Sequence, residues 1–98
     1  MEGHASISSE VIARYASDAT LEVEGVRRLV ESHLPRHRGV RIARADDGAL
    51  TIELHVVLEW GAAFADVGRA VQERVSSYLA RMADLQPARI DVIVDETG

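Results

Sequence analysis

The chain has 98 residues, 47% of them apolar and 28% charged, with a formal net charge of -5 and no cysteine. This length builds one core and leaves no room for a separate catalytic subdomain; the acidic balance argues against non-specific nucleic-acid binding, and without cysteine there is neither a disulfide nor thiolate chemistry, which suits a reducing compartment. No apolar run approaches the ~20 residues of a membrane span, and Met1-Glu2-Gly3-His4-Ala5 lacks a basic region followed by an apolar one, so the sequence predicts a cytosolic protein with no direct membrane insertion.

Ala5 to Ile7 is a candidate for a short edge strand. Ser8 or Ser9 is expected to cap a first helix, with Glu10 in the first turn, where a carboxylate suits the positive end of the helix dipole. Ile7, Val11, Ile12, Tyr15, Ala16 and Ala19 then form an apolar stripe that runs to about Glu22. Gly25 stops the helix, and Val26 to Val30 predicts a short strand. Ser32 to Gly39 contains Pro35 and no periodicity and is expected to be a loop.

Val40 to Ala45 and Ala49 to Glu59 read as a hairpin whose register the sequence specifies. A two-residue Asp47-Gly48 turn would set Ile42 opposite Glu53 and put one of them on the wrong face. A three-residue loop, Asp46-Asp47-Gly48 with Gly48 left-handed, instead pairs Ile42 with Ile52, Val40 with Leu54 and Arg41 with Glu53. Leu50, Ile52, Leu54, Val56, Leu58 and Trp60 keep period two, so the second strand buries one face.

After Gly61 the period becomes helical: Phe64, Val67, Gly68, Val71, Val75, Tyr78, Leu79 and Met82 recur at three and four, and Gln86-Pro87 is expected to end the helix. Ile90, Val92 and Val94 alternate with Asp91, Ile93 and Asp95 as a last strand, and Asp95 to Gly98 should fray. The predicted fold is therefore α+β: a single domain, 1–98, of two layers, with a mainly antiparallel sheet of about four strands and two helices packed on one face. The open face would carry Arg41, Ala43, Thr51, Glu53, His55, Val57, Asp91 and Ile93, with Val57 and Ile93 at or near the surface as the dry centre of a self-association contact.

Candidate chemistry is sparse. His33 and His37 have the spacing of a helical metal pair, but Pro35 removes the helix and no third ligand stands nearby, so no metal site is assigned. His55 has only Glu53 as a same-face partner, too little to name a reaction, and reads as a solvent-facing strand residue. Asp46 and Asp47 read as turn formers. Arg27, Arg28, Arg36, Arg38, Arg41 and Arg44 place six of the eleven arginines within eighteen residues. They could bind RNA or another anion, yet no aromatic is interleaved and Glu31, Asp46 and Asp47 share the region, which favours a solvated surface. Trp60 is expected to close the open end of the core. No catalytic, cofactor-binding or metal-ligating residue is assigned.

Several pieces, in order, resemble the alkaline shock protein family, also known as the envelope stress response family of Gram-positive bacteria. They are Ile7-Ser8-Ser9-Glu10-Val11-Ile12, Glu22-Val23-Glu24-Gly25-Val26, the alternating strand ending in Trp60-Gly61, Val67 through Gln72 to Val75, and Ile90-Asp91-Val92-Ile93-Val94. The resemblance implies a small, non-enzymatic cytoplasmic protein that self-associates, an adaptor or scaffold in the envelope stress response. It also implies a membrane-anchored relative as a further partner, which would make the protein membrane-peripheral. The family has no catalytic residues to carry over. A small nucleic-acid-binding domain using the Arg27 to Arg44 segment is the alternative.

Overall fold

The computed structural model describes residues 7–30 and 39–98. The candidate strand Ala5 to Ile7 falls almost wholly outside them, as do the loop at Ser32 and, with it, His33, Arg36, His37 and Arg38. The elements in chain order are α1 (Ser9–Leu21), β1 (Val26–Leu29), β2 (Val40–Arg44), β3 (Leu50–Leu58), α2 (Phe64–Ala83) and β4 (Arg89–Thr97).

Ser8 caps α1, its hydroxyl accepting the Val11 N–H at 3.2 Å. The stripe then buries Ile12, Ala16 and Ala19. Thr20 is also buried, and its hydroxyl donates to the Ala16 carbonyl at 2.7 Å, which satisfies an otherwise costly polar group.

β3 is the central strand. β2 pairs with its first half in the predicted register, Val40 opposite Leu54, Arg41 opposite Glu53 and Ile42 opposite Ile52. Gly48 has φ +88°, the left-handed conformation that a three-residue loop demands. β1 pairs with the second half of the same edge, Val26 opposite Leu58 and Leu29 opposite Val56. The two short strands thus lie end to end, both antiparallel to β3, and meet at one residue. The Val30 N–H donates to the His55 carbonyl at 2.9 Å, and the His55 N–H donates to the Gly39 carbonyl at 2.7 Å.

β4 occupies the opposite edge of β3 and is parallel to it, from Thr51 opposite Arg89 to Leu58 opposite Thr97. A parallel neighbour needs a crossover, and α2 supplies it. Twenty helical residues and nine strand residues both span about 30 Å, so α2 runs the length of β3. Both helices lie on one face: Val67, Val71, Val75 and Leu79 of α2 join Ile12, Ala16 and Ala19 of α1 over Ile52, Leu54, Val56 and Leu58 in one core. Tyr15 and Tyr78 meet between the helices with ring centroids 5.8 Å apart. The fold is α+β and two-layered, with two antiparallel pairings and one parallel.

Four local expectations are corrected. Phe64 and Met82, placed on the buried stripe, are 52% and 47% exposed because they sit at the two ends of α2, where the core no longer reaches. The helix ends before Gln86-Pro87, at Asp84, which adopts φ 53° and returns its N–H to the Leu79 carbonyl in a left-handed C-cap. β4 does not fray at Asp95: it pairs through Thr97, and the Gly98 N–H donates to the Leu58 carbonyl at 3.0 Å. Its register also shifts, Val56 facing Val94 but Val57 facing Glu96. That bulge makes Asp95 the extra residue, so Asp95 and Glu96 both reach the outer face where strict alternation would turn Glu96 toward the core. Finally, Val57 is only 3% exposed, although it points to the face away from the helices.

Candidate interaction surfaces

The outer face of the sheet is a series of cross-strand rows. Arg28, Val57 and Glu96 form one row, and the Arg28 guanidinium reaches Glu96 at 3.4 Å, passing over Val57. This explains the burial of Val57 and removes it from the surface expected for self-association; Ile93 remains partly exposed. In another row Arg41 faces Glu53, and Glu53 faces Asp91. Asp91 also accepts from Arg89 Nε at 2.8 Å.

Between these rows stands His55. Its Nε2 is 2.8 Å from Glu53 and its Nδ1 is 3.0 Å from Asp95. Two ionised carboxylates can both be satisfied only if both ring nitrogens carry protons, so the geometry selects the imidazolium. The imidazole is accordingly held above its ordinary value of 6.5, by the hydrogen bond to Glu53 first and then by Asp95, against the effect of partial burial. With both nitrogens engaged, the ring acts as a cationic tie between β3 and β4 and has no free position at which to take a proton. Glu53 was legible as its same-face neighbour. Asp95 falls in the segment expected to fray, and only the pairing of β4 through the bulge brings it in.

The arginine segment is dispersed. Arg28 and Arg41 belong to the outer face, whereas Arg44 faces Leu50 on the helix side and its guanidinium lies 3.5 Å from the Ile7 carbonyl. Arg27 donates to the Gly98 carbonyl. Among the described residues, the segment forms no continuous basic patch. Asp47 is the turn former expected, its Oδ1 accepting the Ala49 N–H at 2.9 Å. Among the described residues no cluster of His, Asp or Glu could hold a metal ion, and no helix is long and apolar enough to cross a membrane.

Two further surfaces stand out. One is the outer edge of β4: among the described residues β4 pairs with β3 alone, which leaves its other edge without a strand partner. Gln72 Nε2 donates to the Ile90 carbonyl at 2.9 Å at the start of the strand. The other is an open groove at the end of the molecule where α1 runs into β1 and β3 runs into α2, lined by Leu21, Glu22, Glu24, Glu59 and Trp60 among others. Trp60, expected to close the core, is 84% exposed. Period two ends at Leu58, the chain turns between Glu59 and Ala62, and Val23, Val26 and Val67 close that end instead.

The chain is 31% identical over 100 aligned residues to the uncharacterized protein YqhY of Bacillus subtilis, covering 92% of this chain and 73% of that protein. It is 26% identical over 100 residues to the uncharacterized protein Spy1535 of Streptococcus pyogenes, covering 95% of this chain and 78% of that protein. Among solved structures it resembles MamM CTD in a manganese form, with a TM-score of 0.66 at 15% identity over 91% of this chain and 99% of that one. A histidine-to-alanine variant of MamM-CTD gives a TM-score of 0.65 at 15% identity, covering 91% of this chain and 98% of that one. At such identity the likeness is one of fold. The model of the alkaline shock protein 23 family, described as having a cell envelope-related function, matches residues 1–97, and the chain belongs to that family.

Proposed function

We propose that this chain is a non-enzymatic adaptor of the cytoplasm that self-associates by pairing β4 with β4 of a second copy. The observation that supports it is the self-complementary character of the unpaired edge. In an antiparallel two-fold arrangement centred on Val92, Ile90 faces Val94 on the helix side and Arg89 faces Asp95 on the outer side. The neighbouring two-fold registers, centred on Asp91 or Ile93, set Asp91 against itself or against Asp95, and like charges directly opposite are unfavourable. Charge therefore selects one register. The contact is a strand pairing plus a short apolar row, so it belongs among the smaller interfaces and favours a reversible assembly. A membrane-anchored relative fits as the partner that would hold such an adaptor at the envelope, in keeping with the role described for the family. Nucleic-acid binding through Arg27 to Arg44 is less favoured, since Arg28 and Arg41 face carboxylates and Arg27 and Arg44 reach backbone carbonyls.

Sedimentation across a range of concentrations tests the reading. The parent should associate, and Arg89→Glu should dissociate it. A parent that is monomeric at its highest soluble concentration, or an Arg89→Glu variant that associates as the parent does, rules the pairing out.

A further inference from the structure

The groove beside Trp60 is a different surface from the β4 edge, and its chemistry points to a different occupant. Its volume is about 510 Å³, and its sides carry Trp60 and Leu21, which are 84% and 50% exposed. A large aromatic is seldom left this bare, and aromatic side chains are the residues most often found to anchor a protein contact. The exposure is built into the fold and does not come from a loose end. The Glu59 N–H donates to the Gly25 carbonyl at 2.8 Å, tying the two turns together, and the Ala62 N–H donates to the Glu59 carbonyl at 3.1 Å, so Trp60 sits at the corner of a closed turn. Its backbone is thereby positioned before any partner arrives, which lowers the ordering cost of binding.

The charged side chains of the groove are all carboxylates: Glu22, Glu24 and Glu59. Glu22 is already paired with Arg74 at 2.8 Å. Among the described residues neither Glu24 nor Glu59 forms an ion pair. A groove that sets the exposed Trp60 and Leu21 beside uncompensated negative charge is complementary to an apolar side chain flanked by cations, and an arginine there would also stack on the indole.

We infer that this groove docks a basic segment of a partner protein, one that places an aliphatic side chain against Trp60 and Leu21 and its Arg or Lys residues against Glu24 and Glu59. An anionic membrane surface would be repelled by the same carboxylates. A partner site of this kind goes beyond self-association, because it would let each copy of the adaptor carry a second protein while the β4 edge remains free to pair.

Trp60 is the single tryptophan of the chain, so its fluorescence reports the groove directly. The probe is a short capped peptide with a Leu-Leu centre between arginines, compared with one in which Glu replaces Arg and one in which Ser replaces Leu. The expected result is a blue shift of Trp60 emission with the Arg/Leu peptide alone, weakening as salt is raised. Replacing Glu24→Lys together with Glu59→Lys should weaken binding about tenfold or more. Trp60→Ala should abolish it, as read by anisotropy of the labelled peptide, while the melting curve stays that of the parent because Trp60 contributes little to the core. No shift, or an equal shift with the Glu peptide, overturns the inference. A blue shift that grows with protein concentration in the absence of peptide also overturns it, since a second copy then fills the groove. Because Arg89→Glu acts only at β4, failure of the groove and failure of the strand pairing are separable.

Discussion

Arg28 and Glu96 meet at 3.4 Å across the central strand, each being the register partner of Val57 from opposite sides. Both side chains are at least half exposed, 50% and 59%, so their direct attraction is screened and worth little. Their larger effect is to cover an apolar residue on a face that no helix reaches. The bulge at Asp95 is what makes the cover possible, because without it Glu96 would turn inward.

Val57→Glu should therefore destabilise the domain severely, by about 3 kcal/mol or more, since it places a carboxylate where water is excluded. Arg28→Ala should cost no more than about 1 kcal/mol, the range of an exposed ion pair. Urea denaturation of the two variants checks the contrast. A Val57→Glu variant with the parent's midpoint would show that the ion pair leaves Val57 open to solvent.

The two left-handed glycines that bracket β2 should respond differently to the same substitution. At Gly48, φ is +88° and an added Cβ would meet nothing within 4 Å, so Gly48→Ala should cost only the left-handed strain, about 1 kcal/mol. At Gly39, φ is +73° and a Cβ would stand 2.8 Å from the carbonyl oxygens of both His55 and Val30. The His55 oxygen accepts the Val30 N–H in the bond that ties the end of β1 to β3, so it cannot yield without breaking the junction. Gly39→Ala should cost at least about twice as much as Gly48→Ala in thermal melts. Equal shifts in Tm would show that the junction tolerates rearrangement.

His55 should give the domain a pH dependence of predictable sign. Its folded-state value lies above the ordinary 6.5, chiefly through the hydrogen bond to Glu53 and secondarily through Asp95. A group raised on folding stabilises fully below its unfolded value, and the contribution is lost as pH rises through the folded value. The parent should thus exceed His55→Gln in stability at mildly acidic pH, and the difference should shrink once pH passes above the folded value. Imidazole chemical shifts followed by NMR would locate that value directly. A midpoint at or below 6.5, or a stability difference that grows toward alkaline pH, would refute the two-carboxylate arrangement.

The order of elements, a serine cap at Ser8 or Ser9, the hairpin register and the face that meets the helices were all legible in the sequence. Each rests on local rules: a hydroxyl that satisfies an N–H three residues on, a glycine that alone accepts the left-handed turn, and a period of two or 3.6 that assigns a residue to a face. What the sequence could not show depends on pairings between distant segments. That β1 and β2 share one edge of β3 and meet at His55 comes from where the chain returns after residue 30, which no local pattern records. The bulge at Asp95 is a mismatch between β3 and β4, invisible in β4 itself, whose Asp91, Ile93 and Asp95 simply alternate. From that single extra residue follow the second partner of His55, the outward turn of Glu96 and the burial of Val57. Trp60 follows the same logic: period two continued to residue 60 would turn it inward, but the strand ends at Leu58 because its partners do, and the turn that follows sets the indole in solvent.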